Sequence, residues 1–306
     1  MTNKKLTLVL LLIWSGYASA QDPVFNQNDN AQVYNNPAFI GTCESASFDL
    51  TYRNQWPEIS GNYITTAFSA NQYLGKGNGV SLLYSNDIAA NTLFTNRISL
   101  GYAKQFTISE NHHFSIGVQT AFFQKKLDWG NLTFGDQIDP RRGFVYTTNQ
   151  TNSGGISRGV DFNAGVLYYN NFLFGGIAVH HITEPNEGLI SSAVLPRKYT
   201  LQLGGLIKIK DIVFIPAIQA RNQGSFNSVI GSVKTRFNKI EVDLGYVRKN
   251  GPIGGIGLRF ETWNIGYNFG ASLSKISYFS RSTHEIRIGF RPQILKKTND
   301  AFFDFF

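Results

Sequence analysis

Apolar and polar positions alternate in short segments along most of this chain. In IEVDLGY, residues 240–246, and EIRIGFR, residues 285–291, apolar side chains alternate with charged residues or glycine. A period of two places the apolar side chains on one face of a β-strand and the polar ones on the other. The pattern predicts about fourteen strands, near residues 45–54, 61–73, 78–86, 93–106, 112–125, 156–169, 171–183, 197–208, 212–221, 226–237, 240–249, 253–260, 262–271 and 281–292.

The connections between these predicted strands are sorted by length. Counted from the first, the longer ones at residues 87–92, 126–155, 184–196 and 272–280 are all odd-numbered, and the even-numbered ones are short turns. In an up-and-down barrel, odd and even connections lie at opposite rims, and outer-membrane barrels have short periplasmic turns and longer outer loops. A Greek-key sandwich gives no reason for such sorting. The sequence therefore predicts an all-β, transmembrane, up-and-down antiparallel barrel.

Composition favours the same class of protein. Charged residues make up 16% of the chain, against roughly a quarter in soluble domains, while aromatic residues reach 14% and glycines number 30. No apolar run beyond the N-terminus approaches the about 18 residues of a spanning helix. A secreted β-sandwich stays the soluble alternative, in which the apolar strand faces would meet a second sheet.

The N-terminus has the pattern of a secretory signal peptide. Lys4 and Lys5 precede a short apolar stretch from Leu6 to Trp14, and Ala18-Ser19-Ala20 forms a small-residue cleavage site. We expect residues 1–20 to be removed, so that the mature chain begins at Gln21. The only cysteine is Cys43, which excludes an internal disulfide and is expected to be a small, semi-buried residue.

Two flanking segments and one proline lie outside the alternating pattern. Residues 21–43 are rich in Asn, Asp and Pro, and are either a flexible leader or a plug against the lumen, which would bury their aromatic side chains. Residues 293–306 follow the last strand as a periplasmic tail, so the barrel is expected over 44–292. Pro216 lies within a predicted strand and requires a bulge or a later strand start, because proline cannot donate to a ladder.

Candidate chemistry is sparse. The pairs His112-His113 and His180-His181 are expected to point to opposite faces of their strands, so neither predicts a metal site. The sequence lacks a G-x-S-x-G nucleophile motif and a phosphate loop. Acidic residues of the predicted outer loops show no dyad spacing and are expected to be solvated: Asp87, Asp128, Asp136, Asp139, Glu184 and Glu187. We therefore predict no catalytic, cofactor or metal residues, although an outer-membrane hydrolase stays an alternative.

Basic residues cluster around the long predicted loop. Lys125, Lys126, Arg141, Arg142 and Arg158 are placed to meet lipopolysaccharide phosphates or an acidic partner, or are ordinary solvated charges. No nucleic-acid partner is expected, because the chain has no recognisable stacking platform.

Several stretches resemble one family. QDPVFNQ, NNPAFIG and YRNQWP near the mature N-terminus, GVSLLYSND in the third predicted strand and STHEIRIGF in the last are similar to the PorP/SprF family of type IX secretion system outer-membrane proteins. The resemblance implies a non-enzymatic barrel that serves secretion or surface attachment of large proteins with a C-terminal sorting domain, often adhesins for gliding. It also implies association with periplasmic components of the secretion machine. The leader NQNDNAQVY and the C-terminal extension depart from the family pattern, and both concern the periplasmic side.

The stretch YRNQWP is the first candidate site. Arg53 and Gln55 are expected to face the lumen and organise the outer mouth, with Asn54 and Trp56 on the opposite face and Pro57 ending the ladder. With Arg141 and Arg142 of the long loop, these residues are candidates for binding a partner or organising the mouth. Alternation also predicts a set of lumen-facing charges, namely Arg97, Glu241, Asp243, Glu285 and Arg287.

The sequence thus predicts a barrel that binds a large secreted partner at its mouth or lumen, through main-chain hydrogen bonds and polar lumen groups. A passive channel or transporter for small apolar solutes is the main alternative. An open lumen with measurable conductance would favour the channel, and a plugged lumen would count against it.

Overall fold

The computed structural model describes residues 22–26, 32–43, 45–150, 155–273, 280 and 282–292. The predicted signal peptide and C-terminal tail lie outside these described residues. No helix among them is long and apolar enough to cross a membrane.

Antiparallel strands form a closed barrel of 14 strands. They are β1 (Ser47–Gln55), β2 (Tyr63–Gly75), β3 (Asn78–Ala89), β4 (Leu93–Ser109), β5 (His112–Leu127), β8 (Ile156–Tyr169), β9 (Leu173–His180), β10 (Lys198–Gly205), β12 (Ile212–Gln223), β13 (Phe226–Phe237), β14 (Ile240–Val247), β15 (Gly251–Arg259), β16 (Trp263–Ala271) and β17 (Ser282–Phe290). Between β5 and β8, the pair β6 (Ile138–Asp139) and β7 (Gly143–Phe144) forms a small separate hairpin, and β11 (Ile207–Ile209) pairs with β12 beyond the end of β10.

The first and last strands close the barrel. β1 pairs with β17 from Phe48 opposite Phe290 to Gln55 opposite Thr283, and the remaining barrel strands pair with their neighbours along the chain. Closure removes the exposed edges that a sandwich retains. The predicted transmembrane up-and-down barrel is therefore confirmed, and each of the predicted strand segments coincides with a barrel strand.

The two faces of the wall differ as the alternation predicts. In β1, Leu50 and Tyr52 are exposed on the outside, whereas Thr51 and Arg53 are buried inside. Large exposed apolar side chains recur around the outside of the barrel. An apolar outer band and a polar interior are what a lipid bilayer requires of a barrel wall.

The connections also separate by rim, with one correction. Short turns at 76–77, 110–111, 170–172, 238–239 and 260–262 share one rim, and the long connections at 128–155 and 181–197 lie at the other. The loop predicted at 87–92 is wrong, because β3 continues to Ala89 and only residues 90–92 turn. Ala90 and Asn91 have φ values of 53° and 55°, which make this tight turn.

Pro216 lies within β12 and pairs with Val233 of β13. On its other side the ladder is interrupted: β10 pairs as far as Gly204 opposite Ala217, and pairing resumes with β11. The neighbouring strand, rather than β12 itself, therefore carries the irregularity that a proline without an N–H group requires.

The N-terminal segment, here residues 22–26 and 32–43, lies inside the barrel. It contains a short helix α1 (Gln32–Asn35) and a 3-10 turn at Pro37–Phe39, whose Asn36 side chain accepts a hydrogen bond from the Ala38 N–H group. Its hydrogen bonds reach strands around the wall, at Asn71 of β2, Val166 of β8, His180 of β9, Arg221 of β12 and Glu285 of β17. Contacts on all sides place the segment across the lumen.

Candidate functional site

Inward-facing glycines form the wall against which residues 36–41 pack. A Cβ atom at Gly117 or Gly165 would overlap the backbone of Pro37 or the side chain of Asn36, and one at Gly79 would lie 2.6 Å from Gly41. We call the inward glycines of five neighbouring strands the glycine wall: Gly79, Gly101, Gly117, Gly165 and Gly176. Glycine within a strand permits this close approach of a second backbone.

Apolar packing holds the same segment near the rim of short turns. Phe39 and Cys43 are buried in a cluster with Leu167, Tyr169 and Phe174. The rings of Phe39 and Phe174 meet edge to face with centroids 5.7 Å apart, a favoured aromatic arrangement. The motif NNPAFIG therefore serves twice, because its Asn-Pro pair makes the turn and its Phe and Ile provide the buried contact.

Above the segment, toward the long loops, lies a cavity of about 730 Å³. Asp22, Asn26 and Tyr34 of the N-terminal segment line it from below, and the inner faces of the strands line its sides. Arg248 and Lys249 of a connection at the long-loop rim border it as well. We call this space the outer cavity.

A chain of ion pairs runs along the outer cavity. Glu187, in the long connection after β9, pairs with Lys125 at 3.2 Å and with Arg97, which also lies 3.6 Å from Asp161. His181 Nδ1 lies 2.5 Å from Asp161, and its Nε2 lies 2.7 Å from Asp22. Lys198 Nζ completes the chain at 2.5 Å from the same Asp22 oxygen. The chain connects a long loop to the N-terminal segment.

A second group of charges lines the opposite side of the lumen, nearer the short turns. Arg236 pairs with Glu241 at 2.7 Å, and Lys234 and Arg259 each lie 3.9 Å from the same carboxylate. Arg287 pairs with Asp49 at 2.8 Å. The buried Asp243 lies in the same group. We call these seven charged side chains the ionic wall: Asp49, Lys234, Arg236, Glu241, Asp243, Arg259 and Arg287.

The residues of YRNQWP lie where β1 reaches the long-loop rim. Arg53 is buried and pairs with Glu285 at 3.1 Å, and Gln55 lines the outer cavity. Asn54 accepts a hydrogen bond from Asn62 at 2.8 Å. The expectation that Trp56 lies on the face opposite Gln55 is wrong. β1 ends at Gln55 and Trp56 has a φ of 60°, which turns its side chain to line the cavity.

The long-loop arginines lie apart from the cavity. Arg141 and Arg142 are exposed in the hairpin between β6 and β7, and their backbone N–H groups donate to Asp139 at 2.8 and 2.9 Å. These hydrogen bonds, with one from Tyr146, hold the pKa of Asp139 below its usual value.

The charges predicted from alternation divide between the two regions. Arg97 belongs to the ion-pair chain at the outer cavity, and Glu285 accepts a hydrogen bond from the Asn26 N–H group at 2.7 Å besides pairing with Arg53. Glu241, Asp243 and Arg287 lie in the ionic wall on the inner face of the barrel.

Sequence reasoning missed three features of this site. The pair His180-His181 does not split between faces: both side chains are buried inside, because β9 ends at His180 and His181 has a φ of 57°. Glu187 is buried rather than solvated. Nothing in the sequence around Asp22 indicates that it pairs with Lys198 and His181. The glycine wall could have been found from the glycines at inward-facing positions of neighbouring predicted strands.

Among the described residues, no three or more His, Cys, Asp or Glu side chains are grouped to hold a metal ion. The outer cavity is lined by charged side chains, among them Arg97, His181 and Lys198. The arrangement defines a β-barrel membrane protein whose lumen holds its own N-terminal segment beneath a charged cavity.

This class of protein is specified further by the family comparison. Residues 18–290 match the family of type IX secretion system membrane proteins PorP/SprF, so the chain belongs to that family. Barrel and family together place the protein in the bacterial outer membrane. No curated protein matches the sequence significantly.

Solved structures share the barrel architecture at low sequence identity. The Pseudomonas putida toluene transporter TodX is 12% identical, with a TM-score of 0.47 over 87% of this chain and 93% of its own. The Acinetobacter baumannii outer membrane protein Omp33 is 8% identical, with a TM-score of 0.45 over 81% and 99%. The KdgM porin is 8% identical, with a TM-score of 0.40 over 80% and 98%. These likenesses concern architecture and carry no argument about what this barrel binds.

Proposed function

We propose that this barrel assists type IX secretion or surface attachment of a large, adhesin-like protein by binding that partner at the long-loop mouth and in the outer cavity. The family supports the type IX role, and the charged cavity at the long-loop rim is the observation that carries the binding mode. The partner's C-terminal sorting domain is the part to be held. The mechanism is recognition and not catalysis.

The size of the cavity decides what part of the partner enters. A volume of about 730 Å³ falls within the range of about 300–1,000 Å³ typical of pockets for small ligands. It admits one short segment, whereas a folded domain stays above the loops. The exposed Arg141 and Arg142 are then placed to meet the domain or lipopolysaccharide phosphates. Arg53, Gln55 and Trp56 organise the mouth below them.

The N-terminal segment has a complementary role in this proposal. Residues 21–43 act as a plug that blocks free passage through the lumen and forms the floor of the binding site. The short-turn rim, where the barrel faces the periplasm, is left for components of the secretion machine. The segment's contacts around the wall and the separation of the two rims support these assignments.

The first test is affinity purification of the barrel from outer membranes in mild detergent, with mass spectrometry of the proteins recovered. We expect one large secreted protein with a C-terminal sorting domain. Thr95→Trp, which places a much larger side chain in the outer cavity, is expected to lose this partner. Thr107→Trp, an exposed position of the same strand at the other rim, is the matched control and is expected to retain it.

A barrel recovered with no companion would contradict the proposal and favour a passive channel. Conductance in planar bilayers separates the two functions. The wild-type barrel is expected to conduct poorly, because the N-terminal segment crosses its lumen. A steady, high conductance for small solutes would support the channel instead.

A further inference from the structure

Asp22 occupies an anion-binding site that the barrel wall provides. Its Oδ2 atom lies 2.5 Å from Lys198 Nζ and 2.7 Å from His181 Nε2. Its backbone N–H group donates to Gln223 at 2.9 Å. Short contacts of one oxygen to two cationic or hydrogen-bonding groups are typical of charge-assisted recognition of a carboxylate.

The wall and the carboxylate come from separate parts of the chain. Lys198 begins β10 and His181 follows β9, and both are buried in the interior. Asp22 belongs to the N-terminal segment, 176 positions from Lys198 along the sequence. A buried ammonium group is costly unless an anion lies beside it. Lys198 therefore requires an anion at this point, and Asp22 provides it without being part of the wall. The wall's own Asp161 lies on the other side of the His181 ring, at Nδ1.

The same site is open to the outer cavity. Asp22, His181 and Lys198 all line that space, which is bordered by residues of the long-loop rim. A carboxylate entering from that rim would meet the cations that hold Asp22. Lys198 also lies 5.2 Å from the centre of the Tyr34 ring, so the ammonium group keeps its position beside an aromatic face.

We propose that the outer cavity contains a carboxylate-binding site, formed by Lys198 and His181, in which Asp22 is an internal occupant that an acidic side chain of an inserted partner segment replaces. This inference rests on the proposed function and names the chemistry of the segment that enters. Replacement releases the Asp22 end of the N-terminal segment, so occupation of the cavity is coupled to the plug.

The test measures binding of a fluorescent peptide of six aspartates to the purified barrel in detergent at low salt. Asp22→Asn removes the internal carboxylate and retains its size. We expect this variant to bind the peptide about tenfold more tightly than the wild type. One hydrogen bond to a charged group changes a dissociation constant by about that factor. Lys198→Met is expected to abolish the gain when combined with Asp22→Asn.

Asp87→Asn is the matched control. Asp87 lines the same cavity and loses the same charge on substitution, but it accepts a hydrogen bond from the Thr65 hydroxyl at 2.7 Å instead of contacting Lys198 or His181. Equal gains for Asp22→Asn and Asp87→Asn would overturn the proposal, because general electrostatics would then explain both. Asp22→Ala serves as a second variant, and heat-dependent migration on gels verifies that each barrel is folded.

Partner recovery separates this inference from the proposed function. If the wild-type barrel recovers its large partner but the peptide affinities do not follow Asp22 and Lys198, the carboxylate site alone is wrong. If the peptide affinities follow those residues but no partner is recovered, the secretion role is wrong and the anion site stands.

Discussion

The glycine wall and the ionic wall are built from the same alternation of inward and outward side chains, yet they do opposite things. In the glycine wall, the absence of side chains lets a second backbone approach within contact distance. In the ionic wall, long charged side chains fill the interior and pair with each other. One barrel thus uses one side of its lumen to pack the backbone of residues 36–41 and another side to pair charges within the wall.

Glycine alone does not make a packing surface. Gly255 and Gly289 also face inward, near the ionic wall, but the space at each is occupied by the side chains of Asn268 and Asn264 from the neighbouring strand β16. Residues 36–41 pack where five neighbouring strands each contribute an inward glycine. The comparison shows that a packing surface for a second backbone needs inward glycines on several neighbouring strands, and that a single glycine is not enough.

The largest effect is expected from breaking the ionic wall. Glu241→Gln removes the carboxylate that Lys234, Arg236 and Arg259 approach. Loss of one partner of a buried ionic group costs about 3–5 kcal/mol, so the free energy of unfolding is expected to fall by about that amount. Urea unfolding in micelles, followed by tryptophan fluorescence, measures it. Glu110→Gln in an exposed turn is the control, and an equal loss there would contradict the prediction.

The next effect concerns Arg53, on β1 beside the ionic wall. Arg53→Ala leaves Glu285 buried with one charged partner fewer, although the Asn26 N–H group still donates to it. We expect a loss of about 2 kcal/mol in the free energy of unfolding. The double variant Arg53→Ala with Glu285→Gln is expected to recover part of that loss. No recovery in the double variant would show that Arg53 acts through other contacts.

Gly117→Leu is expected to break the glycine wall while the barrel persists. The new side chain would overlap Pro37, and overpacking costs about 1–3 kcal/mol. The docked position of residues 37–43 is therefore destabilised, and Cys43, which is buried, becomes accessible. Labelling of Cys43 with a membrane-impermeant maleimide is expected to accelerate about tenfold or more.

The matched control for this variant is Gly266→Leu. Gly266 lies in β16, and the atom nearest to a Cβ atom there would be a carbonyl oxygen at 3.8 Å. Cys43 is expected to stay unreactive in this variant. Rapid labelling in the wild type, or equal labelling in both variants, would count against the glycine wall as the docking surface.

The smallest effect is expected in the loop hairpin, which belongs to neither wall. The backbone N–H group of Arg141 first, and then that of Arg142, lower the pKa of Asp139. A depressed pKa means that the contribution of this contact is present above the unfolded value of about 3.9 and is lost as the pH falls through the folded value. NMR titration of the Arg141 and Arg142 amides is expected to show a midpoint below about 3.9.

Asp139→Asn is the control for this titration, because it leaves no carboxylate to protonate. The amide shifts of Arg141 and Arg142 are expected to lose their acid transition in that variant. A transition that persists would assign the pH dependence to another group. The barrel strands are expected to show no change over the same pH range.

Much of the barrel was predictable from the sequence for a simple physical reason. A wall one strand thick, with lipid on one side and a polar lumen on the other, imposes a period of two on every strand. The inward orientation of Glu241 and Arg287 follows from that period, as does the strand from Ile156 to Tyr169. Loop ends were less predictable: a loop was expected from Asp87 onward, but the ladder with β4 continues through Asp87 to Ala89.

The site was predictable only where it lies on regular strands. Trp56 and His181 both follow strand ends with positive φ values, so their side chains leave the alternation that placed their neighbours. Glu187 comes from a long connection that folds over the cavity and buries its carboxylate. No local sequence pattern indicates that this connection folds back over the cavity.

The sequence by itself determined which segments cross the membrane and which side chains face inward, because these depend on positions two residues apart. Only the tertiary structure decided that Asp22 meets Lys198 and His181, and that the glycines of five strands form one surface. These contacts join positions far apart in the chain. The register of the paired strands aligns the wall residues, and the fold of the N-terminal segment into the lumen brings Asp22 to them.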